Sequence, residues 1–155
     1  MLSCLFLRRF SSMVIFCASL FAGVSVQASS VLLPGAKPSN QQRLSVWGFD
    51  VYDARVWIRP GFSIPKYSEH SFVLELSYLR SLEGSAIAKR SVDEMRKVGP
   101  FTREQESSWL KAMLEIFPNV QKGDRLQGLY VPNVGAEFLL NDKLIGRIQD
   151  PMFAQ

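Results

Sequence analysis

Chemistry at neutral pH usually calls on a histidine, a matched pair of carboxylates, a nucleophile beside its base, or a glycine-rich loop that cradles phosphate. The chain has one histidine, His70, in the polar run Ser68-Glu69-His70-Ser71 ahead of a strand. A metal site or a nucleophile–histidine pair would need partners that the spacing around His70 does not supply, so it reads as a surface residue. Asp93 and Glu94 fall on the solvated side of a helix and read as a charged surface rather than an acid–base pair. No phosphate loop and no nucleophile elbow stand out, so neither a cofactor nor a metal is expected. Residue chemistry alone stops at an exported α+β domain with an aromatic-rich sheet.

The 155 residues suit a single domain. Residues 1–28 read as an export signal. Arg8 and Arg9 supply the positive start, Met13 to Val26 the apolar stretch, and Val26-Gln27-Ala28 an A-x-A-like cleavage site before Ser29. That stretch is short for a bilayer span, which favours cleavage and a periplasmic or secreted product over a retained anchor. The flanks of the arginine pair fit general secretion rather than the twin-arginine route. Both cysteines, Cys4 and Cys17, lie in this segment, so the mature domain would hold no disulfide and would depend on its core. The 18 basic and 14 acidic residues give +4, and losing Arg8 and Arg9 leaves +2. No basic cluster interleaved with aromatics accompanies that charge, which argues against a nucleic-acid partner.

The elements follow from periodicity. Residues 29–42, with two prolines and a glycine, read as an extended lead-in. Leu44 to Ile58 is rich in β-formers and predicts one or two strands, bent at Gly48. Arg59-Pro60-Gly61 marks a turn. Ser71 to Arg80 alternates, with Phe72, Leu74, Leu76 and Tyr78 on one side. Gly84 to Val98 is amphipathic, with Ile87, Ser91, Met95 and Val98 as its inner stripe, and Gly99-Pro100 closes it. Thr102 and Gln105 form a capping box for a second helix whose stripe is Trp109, Met113, Ile116 and Phe117. Three short strands follow, 125–131, 136–140 and 143–148, the last two joined by the Asn141-Asp142 turn. Trp47, Trp57 and Trp109 all read as packing residues. Strands, two helices and strands again predict an antiparallel sheet with helices packed on it.

The run Trp47-Gly48-Phe49-Asp50-Val51-Tyr52-Asp53-Ala54-Arg55-Val56-Trp57 resembles a strand pair of bacterial chalcone isomerase-like proteins. The likeness continues through Leu74 to Arg80, Ile87 to Ser91 and Asp93-Glu94-Met95. It then takes in Trp109, Phe117-Pro118-Asn119-Val120, Gly123-Asp124-Arg125-Leu126, Gly135-Ala136-x-Phe138, Asn141 and Gly146-x-Ile148-x-Asp150-Pro151-x-Phe153-Ala154. Together these blocks cover nearly all of 43–155, the domain proper. The resemblance implies an open-faced sheet with a ligand cleft between sheet and helices. In the plant enzymes the cleft holds a flavonoid for an intramolecular Michael addition. In relatives without that activity it binds fatty acids, with an arginine and a tyrosine on the carboxylate.

Carried over by position, the resemblance places the plant lysine near Arg80, an arginine at Arg43 or alternatively Arg55, and a threonine at Tyr52. The catalytic tyrosine falls at Ala86 and an asparagine near Asp93. Tyr78, on the same strand as Arg80, is a further hydroxyl. Alanine has no proton to give, so the resemblance implies a binder of a small apolar or fatty-acid-like anion at Arg80, Arg43, Tyr52, Tyr78 and Arg55 rather than a flavonoid cyclase. An isomerase of the chalcone type is the alternative, and a structural or partner-binding module the second. Family members usually continue past the Asp-Pro-x-Phe-Ala motif with a strand and a helix, so the chain reads as C-terminally short.

Overall fold

A computed structural model describes residues 32–153. The expected export segment, both cysteines and Ala154 lie outside them. Seven strands form one antiparallel sheet: β1 (Lys37–Pro38), β2 (Gln42–Val46), β3 (Phe49–Ile58), β4 (Phe72–Tyr78), β5 (Arg125–Val131), β6 (Gly135–Leu140) and β7 (Lys143–Ile148). From β3 to β7 the strands lie in sequence order, and β1 and β2 both pair with β3. The insertion between β4 and β5 holds the helices α1 (Gly84–Val98) and α2 (Arg103–Ile116).

Turn chemistry sets the registers. At the β2–β3 hairpin Trp47 and Gly48 both have positive φ, 55° and 81°. That is the two-residue geometry whose twist matches the flanking strands. Asn141 and Asp142 do the same between β6 and β7, at 48° and 71°. The Asn141 side chain also locks the neighbouring strand, accepting from the Arg125 amide at 2.9 Å and donating to Asp124 at 2.8 Å. In α2 the capping box is complete: Thr102 Oγ1 accepts from the Gln105 amide, and the Gln105 side chain accepts from the Thr102 amide.

The helices cover one face of the sheet. Tyr78, Leu126, Ala136, Phe138 and Ile148 from the strands close on Ile87, Ala88, Val92, Trp109, Met113 and Phe117. The buried stripe of α1 is Ile87, Ala88 and Val92 with Met95 packed beside it, so of the predicted Ile87, Ser91, Met95 and Val98 the first and third face the core. Val98 is exposed at the end of the helix, where the chain turns out toward Gly99. Trp109 is buried and donates its indole N–H to Asp150 at 2.6 Å, which ties the segment after β7 to α2.

The second face carries a smaller cluster. Leu33 and Ala36 pack on Trp57 and Val73, so the extended lead-in belongs to the fold. A 3-10 segment not foreseen from the sequence, Ile64–Glu69, follows the Arg59-Pro60-Gly61 turn. Phe62 and His70 flank it, their rings 5.8 Å apart.

Candidate ligand-binding site

The volume beneath the helices is core. The cleft that the resemblance implied between sheet and helical layer is filled by the aromatic and aliphatic side chains of that cluster. What stays open is a strip of the same sheet face beside the helices. The register Val56↔Leu74↔Gly128↔Phe138 forms one row, Ala54↔Leu76↔Leu126 the next, and Tyr52↔Tyr78 the third. Side chains two apart on a strand share a face. Ala54, Val56, Leu74 and Gly128 therefore lie on the helix side with Tyr52, Leu76 and Tyr78. Leu74 is 40 % exposed, and Ala54, Val56, Leu76 and Gly128 are half-buried.

Aromatic rings bound the strip at both ends. At one end the Tyr52 and Tyr78 rings meet edge to face, with centroids 6.0 Å apart. At the other, Phe72 packs on Tyr130 at 5.2 Å and on Phe62 at 6.1 Å. The Tyr130 hydroxyl donates to the Ser68 carbonyl at 3.2 Å, so the 3-10 segment walls that end. Tyr78 stands four steps along the strand from Leu74, which is about 13 Å.

The phenols are chemically distinctive. Tyr78 is 2 % exposed, and neither its hydroxyl nor that of Tyr52 has a hydrogen-bond partner among the described residues. Burial, and then the neighbouring Tyr52 phenol, holds the Tyr78 proton on well above the ordinary tyrosine range. Tyr52 shifts the same way by burial, with Glu94 adding to the shift and Arg90 opposing it. These two α1 residues are an ion pair at 2.6 Å, and both side chains are about half exposed. Both phenols are donors with an unused proton, not general bases.

Arg80 follows Tyr78 by two residues. It is exposed, with its guanidinium 5.7 Å from the centre of the Phe49 ring, and it has no ion pair among the described residues. Arg43 and Arg55 do not join this group. Arg43 holds Asp53 at 2.7 and 2.9 Å and Asp50 at 3.0 Å. The Asp53 hydrogen bonds raise the guanidinium's affinity for its proton and lower that of the Asp53 carboxyl. Arg55 donates to Gln41 at 2.6 Å. Asp53 and Arg55 stand at odd separations from Tyr52, on the opposite face of β3, a parity readable in the sequence.

The other expected positions are plain. Ala86 is exposed in the first turn of α1, and Asp93 is exposed and bonded to Arg96 at 3.2 Å. Among the described residues no three His, Cys, Asp or Glu side chains gather as a metal site. Two small surface hollows exist elsewhere. One of about 300 Å³ lies among Arg59, Phe62, Glu69, His70 and Pro132, and one of about 200 Å³ among Val134, Ala136, Glu137 and Arg147.

No family model matches the sequence, and no curated protein matches it. The structure does find likenesses among solved proteins. A fatty-acid binding protein of Arabidopsis thaliana superposes with a TM-score of 0.54 over 76 % of this chain and 75 % of its own, at 9 % identity. The fold is chalcone isomerase-like. At that identity the likeness carries architecture only, and it assigns the antiparallel sheet with its two-helix cover to the chalcone isomerase-like class. Within this fold, most residues through which the sequence resembled the family prove to hold the architecture. Asn119 accepts from the Gly84 amide at 3.0 Å, Asn141 pins β5, Asp150 satisfies Trp109, and Phe153 meets Trp109 edge to face.

Proposed function

We propose that the protein binds a small apolar anion of the alkyl carboxylate type, without chemical turnover, on the open strip beside the helices. One observation carries this reading: an apolar, half-covered row of the sheet runs into two phenol hydroxyls that lack partners among the described residues. The alkyl chain lies along Val56, Leu74 and Leu76, where its contact removes exposed leucine surface from water. The carboxylate sits at the Tyr52–Tyr78 end, accepting from those hydroxyls, with Arg80 as the charge. The fatty-acid binding named for the Arabidopsis protein supports the ligand class. The exposed alanine at position 86, where the resemblance puts the catalytic tyrosine, supports binding without cyclisation. The export signal in residues 1–28 makes this a periplasmic or secreted binder, a placement tested by whether the recovered protein begins at Ser29.

Calorimetry with a medium-chain fatty acid and its methyl ester tests the reading. The acid is expected to bind about tenfold or more tighter than the ester, as a charge-assisted hydrogen bond contributes about 1.5–3 kcal/mol. Arg80→Ala is expected to remove most of that difference. Equal affinity for acid and ester in the unaltered protein, or no saturable binding of either, would contradict it.

A further inference from the structure

The open strip is closed at one end by groups whose positions are fixed. Phe72 stands on the helix side of β4, two residues before Leu74, and its ring meets Tyr130 at 5.2 Å and Phe62 at 6.1 Å. Tyr130 is 2 % exposed, and its hydroxyl donates to the Ser68 carbonyl at 3.2 Å. The 3-10 segment that carries Ser68 is itself held. The Lys66 amide donates to the Ser63 carbonyl at 3.0 Å, and the His70 amide to the Tyr67 carbonyl at 3.1 Å. Moving the Phe72 ring aside would disturb both of its aromatic neighbours. The hydroxyls of Tyr52 and Tyr78 mark the other end. Tyr78 is six steps along β4 from Phe72, a span of about 20 Å.

We infer, on the reading that an alkyl carboxylate lies along this strip, that Phe72 sets the length of the chain the protein accepts. A carboxylate hydrogen-bonded to the phenols takes about 3 Å of the span, and contact with the Phe72 ring about 4 Å. An extended chain advances about 1.2 Å per bond, so the remainder holds a straight chain of about ten to twelve carbons. Each methylene up to that length lies on valine or leucine surface and leaves water. Methylenes beyond it meet the Phe72 ring and must turn out into solvent, where they gain nothing. The ligand class is thereby narrowed from apolar anions in general to acids of medium chain length.

Calorimetric titration with the straight-chain acids from octanoate to hexadecanoate, each below its micellar concentration, tests the limit. Affinity is expected to rise about two- to fourfold per methylene as far as dodecanoate, and to level off or fall beyond it. Phe72→Ala should shift the break to longer chains, raising the affinity for hexadecanoate relative to dodecanoate about fivefold or more. Phe72→Leu, which keeps the aromatic cluster apolar and largely filled, should shift it the same way by less. Arg80→Ala should weaken every length by a similar factor and leave the break in place, as befits a residue at the carboxylate end. An affinity that climbs evenly to hexadecanoate, or a break unmoved in both Phe72 variants, would overturn the length limit while the ligand reading stands. No saturable binding of any acid would overturn both.

Discussion

Gly84→Ala should destabilise the protein by about 3 kcal/mol or more. The junction between β4 and α1 leaves no room for a methyl group. A Cβ at Gly84 would stand 2.8 Å from the Phe117 carbonyl carbon and from the Pro118 oxygen, and nearer still to the Phe117 oxygen. These are backbone atoms, so no side chain can swing aside. Nor can the backbone retreat easily. Leu82 and Val120 exchange both amide bonds at 3.0 and 2.9 Å, and the Gly84 amide donates to Asn119 at 3.0 Å. Inserting the methyl group must open at least one of these pairings. The loss of a large share of an ordinary domain's stability would appear in thermal unfolding as a fall of roughly 10 °C. Gly128→Ala is the informative comparison, because its Cβ would meet the Phe138 ring at 3.4 Å, near ordinary contact. That variant should unfold within a few degrees of the parent.

Leu74→Glu should abolish ligand binding while leaving the fold intact. Position 74 is 40 % exposed, so the carboxylate can reach water when the strip is empty and costs the fold little. Seating an alkyl chain would bury that carboxylate beside hydrocarbon and set it against an anionic ligand. The combined desolvation and repulsion amount to several kcal/mol, a loss of affinity of about a hundredfold or more in the calorimetric titration. Val134→Glu, another exposed apolar position but one outside the strip, should bind as the parent does. Equal weakening by both substitutions would mean that the ligand, if bound, sits elsewhere.

The chain's own letters disclosed much of the architecture. Strand alternation, the Thr102 capping box and the two-residue turn at Asn141 are local signals, and each element they predict is present. The shift of the α1 stripe to Ala88 and Val92 was less legible, because small and β-branched residues form that inner face while Val98 lies where the helix runs out. Trp47 was misread for a different reason. Tryptophan's size argues for burial, and only the turn geometry at Trp47-Gly48 sets it in solvent. The candidate site was harder still. Its tyrosines were named, but their unused hydroxyls depend on what the helices cover, and the open row of Ala54, Val56 and Leu74 depends on cross-strand register. Arg55 could have been set aside by parity along β3, whereas Arg43, on β2, reaches the opposite face only through its register with Asp53. Motif likeness pointed to many positions, and many of them turn out to build the core, as Trp109, Phe117, Phe138 and Phe153 do, while Asn119, Asn141 and Asp150 secure element ends.

The proposed function requires an alkyl chain lying along β3 and β4 and ending at two phenols. A methyl-resolved NMR titration of the 13C-labelled protein with a medium-chain fatty acid locates that chain directly. Saturable shifts are expected at Val56, Leu74 and Leu76, with Val73 and Leu129 on the opposite face unmoved. Shifts confined to Val134 and Ile148, or none at any of the strip methyls under saturating acid, would contradict it.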